Sequence, residues 1–343
     1  MSLKSVSSVQ HPVLTNLADG SLPIVLGTGT FSLQYSTTPN AIPVQDILTR
    51  AFELGVRAID TSPYYGDSEI LLGKALRSLV NSWPRDRYYL ATKCGRISQD
   101  KFDYSKDWIE KSVYRSLMRL NTEYLDAVMC HDVEFVSDEQ VLDALCVLFK
   151  LKEKGVIRNV GITGLPLERL LHLANLARDT FNKPLDLILT YTKFTLQNTT
   201  LKKFLPKIHG AGVKVVLNAG ALSMGMLRPQ GPPLWHPASA ELRNAAQKAC
   251  EWAQNHDNDI ASLALRFVFT HWTESANVTG IGSVNELEVC VQEYWRAQKK
   301  DSEELFEGIQ KVFGQHMHET WPSPLHGFIT KDPETKVSTH RVG

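Results

Sequence analysis

The sequence predicts an α/β fold: a closed (β/α)8 TIM barrel with an extended loop after the seventh strand and an extra C-terminal helix. Three observations predict it. Short apolar runs alternate with helical patterns eight times, and strands separated by helices must run parallel. At 343 residues the chain is long for an ordinary domain and of the size of one barrel with additions. Asp60, Lys93 and His131 end the second, third and fourth runs, which in a barrel gathers them on the C-terminal rim, where such folds carry their chemistry. An open doubly wound sheet gives the same local alternation, and this placement of reactive residues decides for closure. A single domain is expected, with its core at about 22–297.

Ile24-Val25-Leu26-Gly27-Thr28-Gly29-Thr30 reads as a strand running into a glycine turn, and a helix follows at 44–54 with Gly55 as its stop. Val56-Arg57-Ala58-Ile59 leads to Asp60. The second helix, 68–79, is opened by Asp67 or Ser68. Tyr88-Tyr89-Leu90-Ala91-Thr92 leads to Lys93, a helix opened by Ser105 runs to Leu120, and Asp126-Ala127-Val128-Met129-Cys130 leads to His131. A fourth helix at 138–153, a strand at 157–163 and a helix opened by Pro166 continue the alternation. The sixth strand is expected at 185–190, its helix at 201–211 and the seventh strand at 213–217. The Gly/Pro-rich stretch 219–239 is too long for a βα turn and reads as a functional loop. Helices at 240–255 and 260–270, a strand at 277–281 and helices at 285–298 and 302–313 complete the chain, with 332–343 as a loose polar tail.

Lys plus Arg and Asp plus Glu are each 37, so no net field attracts nucleic acid or an anionic membrane, and neither partner is expected. Residues 1–10 lack the apolar core of a signal peptide and the arginine bias of a transit peptide, and no apolar run approaches the roughly 20 residues that span a bilayer. Cys94, Cys130, Cys146, Cys250 and Cys290 are scattered, without zinc or disulfide spacing. A cytoplasmic protein with no metal site is expected.

The centre of the chain's chemistry is Asp60-Thr61-Ser62-Pro63-Tyr64-Tyr65-Gly66. Tyrosine, with an ordinary pKa of about 10, needs a partner to act as acid or base at neutral pH. A neighbouring ammonium favours the phenolate, and a carboxylate holds that ammonium in place. Tyr65, Lys93 and Asp60 supply this set, and His131 adds a donor to steer a substrate oxygen. Singly, each has a plain structural explanation; four suitable residue types ending three successive strands make coincidence improbable.

These residues carry a resemblance. Asp60 to Gly66, Ser68-Glu69, Leu72-Gly73-Lys74-Ala75-Leu76, Lys93 and His131 resemble the aldo-keto reductase superfamily. Thr92-Lys93-Cys94-Gly95-Arg96, Phe102-Asp103-Tyr104-Ser105, Cys130-His131-Asp132-Val133-Glu134-Phe135 and the stretch 231–239 are similar, more narrowly, to its NAD-linked aldose dehydrogenases acting on D-arabinose or L-galactose. The resemblance implies that Tyr65 is the general acid/base, that Lys93 and Asp60 tune it, and that His131 orients the reacting oxygen. It implies a small-molecule sugar substrate oxidised at C1 to a lactone; the oligomeric state is left open.

For the cofactor, Gly27, Thr28 and Gly29 are expected near the nicotinamide ribose, glycine permitting close approach. Thr163 and Gly164 stand where the superfamily commonly has Ser-Asn for the carboxamide, and Thr163 alone can donate. No stacking tyrosine stands near Asn218, a further expected cofactor residue, and Tyr191 or Phe194 is the alternative aromatic wall. Gly282 and Ser283 open the last barrel helix, where backbone N–H groups suit a pyrophosphate. From Phe267 to Tyr294 there is no Arg or Lys for a 2′-phosphate, whereas Glu286, Glu288 and Glu293 occur. This favours NAD over NADP, with Glu286 on the ribose; solvated helix charges are the equal alternative for Glu288 and Glu293. Tyr64, Trp235 and His236 are candidate walls of the sugar pocket, and Cys94 and Cys130 should face away from it. The alternatives are an NADPH-dependent carbonyl reductase, which the missing basic cluster disfavours, and a non-catalytic nucleotide-binding regulatory subunit, which the intact tetrad disfavours.

Overall fold

The computed structural model describes residues 21–32, 36, 38–323 and the backbone of 329–331 and 338–340. Eight strands, β1 (Ile24–Gly27), β2 (Ala58–Asp60), β3 (Tyr89–Cys94), β4 (Leu125–Cys130), β5 (Ile157–Gly164), β6 (Leu187–Tyr191), β7 (Val215–Ala219) and β8 (Asn277–Gly280), close into a parallel barrel in chain order. The closing ladder runs from Ile24 opposite Asn277 to Gly27 opposite Gly280. Around it lie α1 (Val44–Glu53), α2 (Ser68–Leu79), α3 (Lys106–Leu120), α4 (Asp138–Glu153), α5 (Leu167–Phe181), α6 (Leu201–Gly210), α7 (Ala240–Asn255), α8 (Ile260–His271) and α9 (Val284–Ala297), and α10 (Glu303–Phe313) is the extra helix.

Strand alternation sorts the core into two layers. Val25, Ala58, Tyr89, Ala91, Ala127, Met129, Leu187, Leu189, Leu217 and Val278 fill the barrel interior. Ile24, Leu26, Ile59, Leu90, Val128 and Ile188 belong to the layer shared with the helices, as do Cys94 and Cys130. Asp60, Lys93 and His131 fall in the inward-facing parity of their strands, at the C-terminal end.

Two ladders sit further along than the apolar runs suggested. The sixth strand begins at Leu187 and the seventh at Val215, because Leu185 and Val213 are buried against the helices before pairing begins. Tyr191 and Ala219 thereby become the last rungs, opposite one another at the rim. A second departure lies beyond α10, where the chain crosses the C-terminal face as a strap. His318 N–H donates to the Gln197 carbonyl at 3.0 Å, Gln197 Nε2 donates to the His316 and Glu319 carbonyls, and Ser239 Oγ donates to Glu319 Oε1 at 2.7 Å. Trp321 Nε1 reaches Met224 Sδ at 3.2 Å.

Of the expected polar tail, Ser338–His340 pairs antiparallel with Ile329–Lys331, so that part is a strand held by backbone hydrogen bonds. The rest of 332–343, and residues 1–10, lie outside the described residues. Among the described residues no helix is long and apolar enough to cross a membrane.

The helix layer is tightest where α2 crosses α3. A Cβ added at Gly73 would lie 1.9 Å from the Arg119 carbonyl oxygen. Gly73→Ala should therefore force the two helices apart and lower stability by roughly 1–3 kcal/mol. Gly210→Ala, at a helical position with nothing within 4 Å, should leave the thermal midpoint unchanged or raise it. Equal midpoints for both variants would show that α2 and α3 do not touch here.

Candidate active site

Lys93 ends the inward face of β3 with its side chain 3 % exposed, and a buried ammonium must spend its donors. It spends all three: on Asp60 Oδ2 at 2.5 Å, on the Thr61 carbonyl at 3.1 Å and on the Tyr65 phenol oxygen at 3.3 Å. Because Lys93 donates to Tyr65, the phenol's own proton is left for a ligand. Tyr65 is carried by a tight turn in which its N–H donates to the Ser62 carbonyl and its carbonyl accepts from Ser68. Gly66 closes that turn at φ 59°, a conformation glycine adopts without strain.

Behind Asp60 runs a buried chain of hydroxyls. Thr28 Oγ1 donates to the Asp60 carbonyl at 3.0 Å, so Ser68 Oγ donates to Thr28 at 2.8 Å and Thr61 Oγ1 to Ser68 at 3.0 Å. This chain ties the first strand's turn, the catalytic loop and the start of α2 together, which fixes the carboxylate that fixes Lys93.

His131 is held from both sides. Its N–H donates to the Cys94 carbonyl at 2.9 Å and its carbonyl accepts the Tyr104 hydroxyl at 2.6 Å. Ser62 Oγ lies 3.0 Å from Nδ1 and accepts the Tyr64 N–H, and the Ser62 proton has no other acceptor among the described residues. Ser62 therefore donates to Nδ1, and Nε2 carries the ring proton. Burial lowers the His131 pKa to about 3, so the ring is a neutral donor across the working range.

Burial also sets the tyrosine. It holds the Tyr65 phenol well above its ordinary pKa, with Asp60 and Asp132 adding to the shift and Arg96 opposing it. The expectation that Lys93 would pull the phenol down needs correcting, because the Asp60 carboxylate answers the ammonium's charge before Tyr65 feels it. Tyr65 carries its proton at neutral pH.

A cavity of about 360 Å³ opens above these four residues. Tyr64, Arg96 and Asp132 form one side; Thr163, Leu189 and Tyr191 form another. The loop after β7 supplies the roof through Leu222, Met224, Pro233 and Trp235, so its length serves the site. Gly27, Gly29, Thr30 and Gly280 form the lip between β1 and β8.

Ten of the residues singled out from the sequence meet here: Asp60, Tyr65, Lys93 and His131, with Gly27, Gly29, Thr163, Tyr191, Tyr64 and Trp235. Others do not line the cavity. Thr28 is spent in the hydroxyl chain. Asn218 has the outward parity of β7 and donates to the Phe194 carbonyl at 2.9 Å and to Asn277 Oδ1 at 3.0 Å. Phe194 is buried against Phe267 and Trp272. His236 pins the roof loop to itself, Nε2 to the Ser223 carbonyl at 2.9 Å and Nδ1 to the Ala238 N–H, with Trp321 edge-on at 4.7 Å. Gly282, Ser283 and Glu286 lie beyond the lip at the start of α9, where Ser283 Oγ accepts the Glu286 N–H and the Glu286 carboxylate accepts the Gly282 N–H at 2.7 Å. Glu288 pairs with Arg50 at 2.8 Å, and Glu293 is buried between Arg266 and Arg296, so both are structural.

Sequence reasoning missed Ser62, Thr30, Arg96, Asp132 and Glu134. Arg96 and Asp132 stand in the motifs that end at β3 and β4, so their signal was present without an assigned role. Glu134 explains Gly164: its Oε2 lies 2.4 Å from where a Gly164 Cβ would be, and so takes the space of the absent side chain. Its Oε1 accepts from Leu165 N–H at 3.0 Å and Ser323 Oγ at 2.6 Å, while Oε2 is buried without a partner.

The lip and the Thr163–Tyr191 side of the cavity suit a nicotinamide. Gly27 already meets Thr279 and Val278 so closely that any side chain there would crowd the lip, and Thr163 offers a hydroxyl beside the Tyr191 ring. Further out, at the start of α9, the Gly282 and Glu286 N–H groups are held by the Glu286 carboxylate and Ser283 Oγ, which leaves those of Val284 and Asn285 to face a pyrophosphate.

A closed parallel barrel whose rim gathers Tyr, Lys, Asp and His around one cavity defines an oxidoreductase acting on CH–OH donors. The chain belongs to the aldo/keto reductase family, whose profile matches residues 23–306, and the family works with nicotinamide cofactors. It is 42% identical over 315 residues to D-arabinose 1-dehydrogenase of Saccharomyces cerevisiae, covering 88% of this chain and 94% of that one. It is 38% identical over 281 residues to L-galactose dehydrogenase of Arabidopsis thaliana, covering 80% and 86%. Among solved structures, an aldo-keto reductase of Bacillus halodurans in its holo form superposes with a TM-score of 0.61 at 25% identity, covering 86% of this chain and 95% of that one.

Burial with Asp132 nearby raises the Glu134 carboxyl from 4.5 to about 7. Between these values the folded chain keeps a proton that the unfolded chain loses, so this group's penalty on the fold grows as pH rises from about 4.5 to 7 and is complete above. Glu134→Gln keeps an oxygen for Leu165 and Ser323 and removes the titration. The variant should gain thermal stability over wild type at pH 8, and the gain should shrink toward pH 4. A difference that does not vary with pH would show that the carboxyl titrates normally.

Proposed function

We propose that the protein is an NAD-dependent aldose 1-dehydrogenase that oxidises a free sugar of the D-arabinose or L-galactose type at C1 to its aldonolactone. The carrying observation is the Asp60–Lys93–Tyr65 chain at 2.5 and 3.3 Å, which leaves the Tyr65 oxygen as the proton-exchanging atom on the cavity floor. Similarity to the yeast and plant sugar dehydrogenases over most of the chain supports the substrate class. D-arabinose and L-galactose share the ring configuration a pocket would grip and differ by one hydroxymethyl group.

The C1 hydroxyl oxygen accepts from His131 Nε2–H, and its proton passes to the Tyr65 oxygen. A bound oxidised nicotinamide supplies the acceptor for the hydride from C1. Lys93 positions the Tyr65 oxygen by direct donation, and Asp60 holds Lys93 aimed at it. Trp235 and Tyr64 present rings to the sugar faces.

Choice of NAD is supported by the charges around α9. The Glu286 carboxylate sits at the helix start, and Arg50, which reaches the helix nearby, is answered by Glu288 and Glu53. A 2′-phosphate there meets carboxylate, whereas ribose hydroxyls find an acceptor. A cytosolic location is supported by the five free thiols.

Initial rates of reduced-nicotinamide formation with D-arabinose and L-galactose, each with NAD and NADP, test the reading. NAD-linked oxidation should fall by about 10²-fold or more in Tyr65→Phe. No turnover of either sugar despite saturable NAD binding would sink the aldose assignment, and faster turnover with NADP would sink the cofactor.

The pH profile follows from the raised Tyr65 pKa. Oxidation needs the phenolate, so its kcat/KM should climb with pH into the alkaline range; reduction of the corresponding carbonyl needs the phenol and should stay flat over that range, declining only once pH passes the raised pKa. His131, neutral above about pH 3, adds no limb. An oxidation rate that is flat from pH 6 to 10 would remove Tyr65 as the base.

A further inference from the structure

The proton-transfer chemistry leaves one charged pair in the cavity unused. Arg96 and Asp132 each stand two residues beyond their strands, with side chains 4 % and 6 % exposed, and Arg96 Nη1 donates to Asp132 Oδ2. Arg96 Nη2 is anchored to the Gln99 carbonyl at 2.8 Å, and its guanidinium lies over the Tyr64 ring at 4.2 Å, with Phe102 and Phe135 around it. Asp132 has a left-handed backbone, φ 56°, unusual for a residue with a side chain. Taking both ions out of water is costly, and unlike the buried Arg266–Glu293 pair this one lines the cavity. Tyr64 adds a buried hydroxyl on the same side of the cavity that has no partner among the described residues.

We propose that Arg96, Asp132 and Tyr64 form the hydroxyl-reading wall of the substrate site, which grips the hydroxyl on the carbon next to the reacting one. Two observations point there. Asp132 Oδ2 is 3.5 Å from His131 Nε2, so groups that bind at these two atoms lie on adjacent atoms of one small ligand. Asp132 and Arg96 answer each other's charge, so the wall presents a carboxylate acceptor beside guanidinium donors. Its complement is a neutral hydroxyl, which both donates and accepts. A substrate carboxylate there would meet Asp132 and be repelled.

This inference rests on the oxidoreductase reading above and narrows its substrate to α-hydroxy carbonyl compounds and their reduced or cyclic forms. It is tested in the reductive direction with the preferred reduced nicotinamide, comparing glyceraldehyde, which has the neighbouring hydroxyl, with propanal, which lacks it. Wild-type kcat/KM should favour glyceraldehyde by about tenfold or more, the worth of one hydrogen bond to a charged group. In Asp132→Asn and Arg96→Met the loss for glyceraldehyde should exceed the loss for propanal by a similar factor. Tyr64→Phe, which removes one oxygen and no charge, should narrow the preference several-fold, and carries the test if the charge variants do not fold. NAD affinity, read by quenching of protein fluorescence, should change less than the glyceraldehyde kcat/KM in all three.

Equal losses for the two aldehydes would overturn the proposal and leave the pair as scaffolding for His131, as would a wild-type enzyme indifferent to the hydroxyl. If the wild type discriminates but turns over no sugar, the hydroxyl wall stands and the aldose assignment falls.

Discussion

The site depends on an ammonium kept charged where water does not reach it. Lys93 is tolerable in the barrel mouth because Asp60 stands one strand away with the same inward parity, and because Thr61 and Tyr65 take the remaining two protons. Remove the carboxylate and the ammonium would stand as an unpaired buried charge. The hydroxyl chain Thr61–Ser68–Thr28 and the buried Glu69, which accepts from Thr92 at 2.8 Å, hold the β2 and β3 ends against drift. Tyr65 is thereby a proton donor and acceptor whose direction is set by its neighbours and whose pKa is set by burial.

Over this floor the molecule builds a roof from segments distant in sequence. The loop after β7 is pinned by His236 and braced by Trp321 from the strap after α10, so the two least regular parts of the chain hold each other. The strap continues to Ser323, which hydrogen-bonds Glu134 beside Gly164. The roof, the wall at the end of β5 and the C-terminal segment are one connected unit. Leu234 at the roof tip is 94 % exposed, whereas Leu222, Met224, Pro233 and Trp235 of the same loop line the cavity.

The barrel itself was legible because its strands are buried on both faces and read as continuous apolar runs, while the helices carry amphipathic spacing. Asp60, Lys93 and His131 were legible for the same reason: a polar side chain that ends a buried run has only the rim to occupy, and Tyr65 was legible from the loop that follows Asp60. The pKa of Tyr65 was not, since an ammonium's effect on a phenol depends on whether a third group has already claimed its charge. Nor were Thr28, Asn218 and His236, whose hydroxyl, amide and ring suit a ligand as well as they suit the neighbours that occupy them.

By itself the sequence determined the order of elements, the parity that turns Asp60, Lys93 and His131 inward, and the chemical types brought to the rim. These follow from local periodicity, which does not depend on distant residues. The tertiary structure decided that Glu134 fills the gap at Gly164, that Arg96 finds Asp132, and that a strap from beyond α10 closes the roof. Each joins residues from different strands or from opposite ends of the chain, and only closure of the barrel brings them within hydrogen-bonding distance.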